Sequence, residues 1–273
     1  MTVSNSPRAL AALGNRRPPK PSGPPPLVLV AHGSRDPRAL VTVRALQDRV
    51  REQRPGLDVR LGHIELNAPL LPDTLASLAA PAPGTPDTPS VTGAVLVPLL
   101  FSPGYHVKHD IPEMAAHAPV HARVAAPLGP HPLLAETLHA RLTEAGWPAR
   151  MTDAERRVSA VVLAAAGSRD PESATGTRRT ARLLAERLGV PVVPAYAAAA
   201  SPTVPEALRE LAARGRDRVA VASCFTAPGR FAGQCADAAP WVAAAPLGDH
   251  PALARLVLHR YDQALAAPAT SAA

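Results

Sequence analysis

The spacing of apolar residues changes repeatedly along this chain. Three short apolar runs have the length of buried strands, at 27–30, near 59–66 and near 94–99. Three further stretches place apolar residues every three or four positions, as on one face of a helix, near 40–50, 70–79 and 131–145. Strands that alternate with helices predict an α/β fold, with a mostly parallel sheet that helices cover on both faces.

The chain carries one sequence pattern twice. Two pairs of segments match in the same order, 29–37 with 163–171 (LVAHGSRDP, LAAAGSRDP) and 126–132 with 245–251 (APLGPHP, APLGDHP). Self-similarity of this kind indicates a duplicated structural unit, and each copy has the size of a small domain. We therefore predict two similar lobes, 27–150 and 158–268, joined by the polar stretch 152–157.

Residues 1–26 differ from the rest of the chain. They are rich in proline and hold four cations, Arg8, Arg16, Arg17 and Lys20, but no acid. Since proline lacks the backbone N–H that regular structure needs, we predict a disordered tail here. This tail accounts for much of the formal net charge of +7, and aromatic residues, at 3%, are too few for base stacking. Nucleic acid is therefore not predicted as a partner.

Composition predicts a globular protein of the cytoplasm. Hydrophobic residues make up 47% of the chain and charged residues 19%, which is enough apolar material for a sizeable core. No apolar run approaches the roughly 18 residues that span a bilayer, and the first residues lack the pattern of a secretory signal. Cys224 and Cys235 have no CxxC spacing, so neither a disulfide framework nor a cysteine metal site is predicted.

Three residues with metal-binding side chains follow the predicted strands of the first lobe. His32 comes directly after the first strand, Glu65 near the end of the second, and His106 in the loop after the third. Carboxyl ends of parallel strands meet at one edge of the sheet, where ligands bind, so we expect these side chains to be neighbours. Two imidazoles and a carboxylate suit divalent iron, cobalt or nickel. Taken singly, a histidine at a strand end is more often a hydrogen-bonded turn residue than a metal ligand.

The second lobe lacks all three of these residues. Aligning the two copies places Ala166 opposite His32, Ala198 opposite Glu65 and Phe231 opposite His106. Both lobes nevertheless keep a histidine at the predicted start of their last helix, His131 and His250, which indicates a structural role for that pair. The joint loss of the other three predicts that they share one function, which the first lobe performs.

The segments around the two histidines match a known family. Residues 30–35 (VAHGSR) and 98–107 (PLLFSPGYHV) together resemble the class II sirohydrochlorin chelatases, which insert cobalt or iron in cobalamin and sirohaem synthesis. The resemblance covers nearly everything from residue 27 onward. It implies two lobes, each a four-stranded, mostly parallel sheet flanked by helices, with the second lobe as the opposite wall of a cleft. It also implies that His32 and His106 are catalytic and bind the metal with Glu65.

The same resemblance implies what the protein binds. The substrates would be sirohydrochlorin and Co²⁺, Fe²⁺ or Ni²⁺, with no cofactor besides the metal. Carboxylates on the tetrapyrrole would meet cations and backbone donors. The candidates beside the two motifs are Gly33, Ser34, Arg35, Arg38, Gly104, Tyr105 and Lys108. No ATP or other nucleotide is expected, since the chain has no GxxxxGK[ST] loop. The choice of metal and pathway stays open, as does the role of His109, where relatives often carry an acid.

Two other functions would use the same residues. A carrier protein could hold the metal or the tetrapyrrole without inserting one into the other. A phosphatase with a histidine nucleophile also has a His-Gly turn after a strand, but here Ala31 rather than an arginine precedes His32, which leaves no phosphate clamp. Turnover separates a chelatase from a carrier, and phosphomonoester hydrolysis would identify a phosphatase.

Overall fold

The structure, a computed structural model, describes residues 23–80, 91 and 93–267. The first lobe contains β1 (Leu27–Ala31), α1 (Pro37–Gln53), β2 (Val59–His63), α2 (Leu71–Ala79), β3 (Gly93–Pro98), a π-helical turn (His106–Asp110), α3 (Ile111–Ala116), β4 (His121–Val124) and α4 (Pro132–Glu144). The connecting segment forms α5 (Asp153–Val158). The second lobe contains β5 (Ser159–Ala165), α6 (Pro171–Leu188), β6 (Val192–Tyr196), α7 (Val204–Ala213), β7 (Arg218–Ser223), α8 (Arg230–Asp237), β8 (Val242–Ala243) and α9 (Pro251–Ala266).

Each lobe is built on one parallel sheet. Within the described residues the strand order is β2-β1-β3-β4 in the first sheet and β6-β5-β7-β8 in the second, and every pairing is parallel. The predicted α/β architecture with two similar four-stranded sheets is thereby confirmed. The predicted strand near 59–66 is shorter in the structure, because β2 already ends at His63.

The strand side chains divide between a shared core and separate outer cores. In β1, Leu27 and Leu29 belong to a cluster that also contains Val161 of β5, whereas Val28 and Val30 face the opposite side of the sheet. The shared cluster passes between the two sheets, where α1 packs on α9, and α4 packs on both α6 and α9. Burial of apolar surface there holds the lobes together, at about 25 cal/mol per Å² removed from water.

The predicted tail lies mostly outside the described residues, which begin at Gly23. Its last two residues join the fold. The Pro25 carbonyl accepts a hydrogen bond from the Tyr261 hydroxyl (2.6 Å), and the Pro26 carbonyl accepts one from the Val95 amide (2.9 Å). Among the described helices, none combines the length and the apolar character needed to cross a membrane.

The matched histidines cap the last helix of each lobe, as predicted. The His131 Nδ1 accepts a hydrogen bond from the Leu133 amide at the start of α4 (3.1 Å), and the His250 Nδ1 accepts one from the Ala252 amide at the start of α9 (3.2 Å). Each ring thereby satisfies an amide that has no partner inside its helix. Burial lowers the pKa of both imidazoles, which favours the neutral form that can accept.

We expect these two caps to weaken in acid. The pKa of each imidazole in the folded protein lies below its ordinary value of 6.5, so the unfolded chain takes up protons first as the pH drops through that value. The free energy of unfolding therefore falls with pH below about 6.5 until the folded pKa is passed. Asparagine accepts the same amide without titrating. Urea unfolding from about pH 8 to about pH 5 should give a flatter dependence for the double variant His131→Asn, His250→Asn.

Part of the pH dependence of the free energy of unfolding should remain in that double variant. His63 and His139 also have a pKa that burial lowers, and they stay in place. A double variant as sensitive to acid as the unchanged protein would contradict the interpretation of His131 and His250 as neutral caps.

Candidate active site

Three strand ends of the first lobe meet at the candidate site. His32 directly follows β1, Glu65 lies two residues beyond the end of β2, and His106 opens the π-helical turn that comes after β3. Because β2, β1 and β3 are adjacent and parallel, their carboxyl ends lie at the same edge of the sheet. The structure brings all three side chains together there.

The three side chains form a compact cluster. The His32 Nδ1 lies 3.6 Å from Glu65 Oε1, and the rings of His32 and His106 meet edge to face with their centroids 4.7 Å apart. Between 36% and 53% of each side chain is exposed. A ligand can therefore reach the cluster from solvent.

A backbone contact sets the spacing of His32 and Glu65. The Glu65 amide donates to the His32 carbonyl (3.0 Å), and the Ile64 amide donates to the Ala31 carbonyl (2.9 Å). Gly33 has a φ of +104°, and a Cβ at this position would lie 1.9 Å from the Glu65 carbonyl oxygen. Only glycine fits between these loops, since other residues avoid this φ and bring a Cβ with them.

Asp110 is a site residue that the sequence analysis missed. Its Oδ2 lies 2.5 Å from His106 Nδ1, and the two residues are the ends of the π-helical turn. The Ile111 amide donates to the His106 carbonyl, five residues back, which widens this turn relative to an α-helix. The available signal was the spacing of four residues between a histidine and a carboxylate, which places both on one face of a helix.

Both histidines turn the same ring nitrogen toward protein groups. The His32 Nδ1 faces the Gly33 carbonyl (3.3 Å) and Glu65, while the His106 Nδ1 faces Asp110. The Nε2 atoms are left for a ligand. Within the described residues, no group of three or more His, Cys, Asp or Glu side chains is arranged to hold a metal ion. Glu65 would have to turn from His32 to complete such a set.

The second lobe keeps the backbone of this site without its side chains. The Ala198 amide donates to the Ala166 carbonyl (3.0 Å), as Glu65 does to His32. Ala199 has a left-handed φ of 57°, and its counterpart Leu66, which follows Glu65, has a φ of 66°. These matches support the alignment of Ala166 with His32 and of Ala198 with Glu65.

Loops of the second lobe lie against the His106 loop. A Cβ on Gly104 would lie 3.4 Å from Ser168 Oγ, and Ser102 Oγ lies 2.8 Å from Ser173 Oγ. The Lys108 ammonium contacts two acids at the start of α6, Asp170 (2.6 Å) and Glu172 (2.9 Å). These two contacts raise the pKa of Lys108. The segment that carries His106 is thus tied to the second lobe.

Three of the predicted substrate contacts already have protein partners. The Ser34 amide donates to Asn67 Oδ1 (2.7 Å), and Lys108 is paired across the lobes as described. Arg38 is paired with Asp36 (2.7 Å). A tetrapyrrole would have to displace these partners, so substrate binding by Ser34, Lys108 and Arg38 stays a prediction.

The remaining candidates are open to solvent. Arg35 is exposed two residues before α1 begins, and Tyr105 is 67% exposed, with its ring centroid 4.8 Å from that of His109. Gly33 and Gly104, which have no side chain to offer, are partly buried in the two loops, and substrate binding there stays a prediction. His109 therefore lies beside Tyr105 rather than in the cluster of His32 and His106.

Comparison with protein families gives one match, repeated along the chain. The model of the CbiX family matches residues 26–145 and again residues 160–264. This match confirms the duplication and the family resemblance predicted from the sequence.

Curated relatives carry one name. The sirohydrochlorin cobaltochelatase of Methanococcus aeolicus is 30% identical over 88 residues, which are 32% of this chain and 56% of that protein. The sirohydrochlorin cobaltochelatase of Methanococcoides burtonii is 25% identical over 131 residues, 43% of this chain and 94% of that protein. The match thus spans only about half the length of the first relative.

Solved structures share the fold. SirB from Bacillus subtilis with Fe³⁺ superposes with a TM-score of 0.65 at 22% identity, covering 88% of this chain and 95% of that one. The sirohydrochlorin chelatase SirB from Bacillus subtilis subspecies spizizenii in complex with cobalt gives a TM-score of 0.67 at 20% identity, covering 89% and 95%. Both likenesses extend over the two lobes.

The contact at Gly33 leads to a stability prediction. Gly56 has a comparable φ of +85° but no atom within 4 Å of a Cβ built on it. Alanine at Gly56 should cost about 1 kcal/mol, for the left-handed backbone alone. Alanine at Gly33 must in addition displace the Glu65 carbonyl, so we expect Gly33→Ala to lower the free energy of unfolding by at least about 2 kcal/mol more than Gly56→Ala. Equal urea midpoints for the two variants would contradict the tight approach.

Proposed function

Since the chain belongs to the CbiX family, we propose that it is an enzyme that inserts a divalent metal ion, Co²⁺ or Fe²⁺, into sirohydrochlorin. The activity named for its curated relatives supports this reaction. The observation that carries the proposal is the pair of partly exposed imidazoles of His32 and His106, with ring centroids 4.7 Å apart at the edge of one sheet. The duplicated edge in the second lobe has neither ring, so the first lobe, 27–150, is the catalytic one.

The reaction is an exchange of two protons for one metal ion. As the pyrrole nitrogens bond to the metal, two N–H bonds break and the protons leave through a base to solvent. A neutral imidazole, with an ordinary pKa of about 6.5, can accept a proton or bind a metal near neutral pH. Two histidines can divide these tasks. Formation of the metal–nitrogen bonds drives the exchange, so the scheme needs neither ATP nor another cofactor.

The metal ion is a substrate and must be released. The Nε2 atoms of His32 and His106 and the carboxylate of Glu65 would supply three ligands and leave further positions for the tetrapyrrole nitrogens. Glu65 reaches the ion by turning away from His32, a move of a partly exposed side chain. A site that forms in this way holds the ion weakly enough to pass it on.

The substrate is strongly anionic, and three exposed arginines stand close in sequence to the site residues or to their counterparts in the second lobe. Arg35 of the first lobe and Arg169 and Arg230 of the second are exposed, and none forms an ion pair among the described residues. The Arg230 guanidinium lies over the ring of Phe231, 4.9 Å from its centroid. Guanidinium groups bind carboxylates in bidentate geometry, so the three arginines can hold the rim of the macrocycle from both lobes. Tyr105 offers an exposed flat face beside His106.

In this proposal the two lobes have different roles. The lobe at 158–268 forms the opposite wall of the cleft. Sirohydrochlorin and the metal are the only partners that the reaction requires, and we place it in the cytoplasm.

Removing either imidazole should stop the reaction. We expect His32→Ala and His106→Ala each to lower kcat/KM by at least about 100-fold, because an imidazole that accepts a proton or delivers the metal contributes at least that much. Thermal unfolding should change little, since both side chains are partly exposed. The measurement is the visible spectrum of sirohydrochlorin with Co²⁺ under anaerobic conditions.

The second lobe provides the matched control. Ala166→His places an imidazole at the position equivalent to His32, and we expect turnover to stay within about twofold of the unchanged protein. Full turnover by His32→Ala would refute the assignment of the site to the first lobe.

The number of products per protein separates an enzyme from a carrier. With the protein at a small fraction of the sirohydrochlorin concentration, an enzyme converts all of the tetrapyrrole, whereas a carrier changes only one equivalent. We expect complete conversion, and parallel rates with Co²⁺, Fe²⁺ and Ni²⁺ identify the metal that is inserted most rapidly. Conversion that stops at one equivalent would support the carrier function.

A further inference from the structure

Within the described part of the chain, the carboxylate of Asp110 has one hydrogen-bond partner, the ring of His106. The two groups lie 2.5 Å apart, Asp110 is 25% exposed, and among the described residues it forms no ion pair with lysine or arginine. Resting on the proposed function of His106, we propose that Asp110 is a positioning residue, which fixes the His106 ring with its proton on Nδ1 and its Nε2 free for the metal or the pyrrole proton.

The direction of the hydrogen bond determines the tautomer. An ionised carboxylate has no proton to give, so it can only accept from Nδ1–H. A neutral ring with its proton on Nδ1 has its lone pair on Nε2, the nitrogen that faces away from Asp110. Metal-binding histidines are commonly oriented in this way by a carboxylate on their other nitrogen.

Among the described residues, the Asp110 side chain makes no hydrogen bond that would stabilise the helix itself. Asp110 has helical backbone angles (φ −63°, ψ −48°), because the π-helical turn continues directly into α3, and its side chain makes no hydrogen bond that caps α3. The carboxylate is turned to His106 instead. The Asp110 carboxylate therefore contacts the His106 ring and does not cap the helix.

The second lobe shows what this turn looks like without the pair. The Gly233 amide donates to the Gly229 carbonyl (2.9 Å), as Lys108 does to Gly104 in the first lobe (3.0 Å), so the two helix starts correspond. In this register Phe231 replaces His106, and Cys235, which is buried, replaces Asp110. Both members of the pair are absent from the lobe that lacks the other site residues. A role confined to the fold would not require the two to change together.

The test is a measurement of the tautomer. Proton–nitrogen correlation spectra of the protein without substrates, at a pH where imidazoles are neutral, distinguish a protonated Nδ1 from a protonated Nε2. We expect His106 to carry its proton on Nδ1 in the unchanged protein and to shift toward Nε2–H in Asp110→Ala. His117, whose Nδ1 contacts the Glu113 carbonyl (2.8 Å), is an internal reference that should not change.

Metal binding provides a second readout. We expect Asp110→Ala to weaken Co²⁺ binding about 10-fold to 100-fold and to lower kcat similarly, as loss of a carboxylate behind a metal-binding histidine does. Asp110→Asn keeps the shape and an acceptor oxygen but can also donate, so it should show both tautomers and an intermediate loss. Glu113→Gln removes a carboxylate from the same helix that does not touch His106, and it should leave both the tautomer and Co²⁺ binding unchanged.

The role of Asp110 can be tested independently of the proposed function. The tautomer and Co²⁺ affinity are measured without sirohydrochlorin, so they decide the role of Asp110 even if no insertion is observed. A ring that carries its proton on Nε2 in the unchanged protein would overturn the inference. So would Asp110→Ala and Asp110→Asn variants that keep the original tautomer and Co²⁺ affinity. Failure of insertion alone would overturn the proposed function instead.

Discussion

The site depends on the close approach of two backbones at the ends of β1 and β2. The Glu65 amide bonds to the His32 carbonyl, and Gly33 leaves room for the Glu65 carbonyl where a Cβ would collide with it. The second lobe has the same contact, in which a Cβ on Gly167 would lie 1.8 Å from the Ala198 carbonyl oxygen. Since this contact involves backbone atoms alone, it persists where the side chains have been lost. The backbone contact is thus present in both lobes, whereas the two histidines and the glutamate are present in the first lobe and not at the equivalent positions of the second.

The second lobe contacts the loops of the candidate site. Its sheet shares an apolar core with the first sheet, and its loops touch the segment that carries His106 through Ser173, Asp170 and Glu172. The Thr226 hydroxyl also donates to the Leu99 carbonyl at the end of β3 (3.0 Å). A long loop after a strand would otherwise be free to move. These contacts tie the loop that carries His106 to the second lobe.

Local patterns in the sequence predicted the parts of the structure that depend on local physics. Buried parallel strands are continuous apolar runs, so β1 and β3 were evident, and the duplication identified the capping role of His131. The short edge strand β4 was missed because His121 and Arg123 break its apolar pattern. The ion pair of Lys108 was not evident because its partner Asp170, 62 positions along the chain, becomes a neighbour only when the lobes pack. Asp110 was missed because the π-helical turn that orients it has no strong sequence signal.

The two carboxylate–imidazole pairs of the site differ in a way that suits different tasks. Asp110 lies within a short hydrogen bond of His106, inside one turn of helix, so this ring has little freedom. Glu65 is 3.6 Å from His32, and half of its side chain is exposed, so it can turn to another partner at small cost. A carboxylate that must first help to hold a metal ion and then release it needs that freedom, whereas one that orients a ring must stay in place. The geometry therefore favours Glu65 as the acid that meets the metal, and Asp110 as the acid that remains with its histidine.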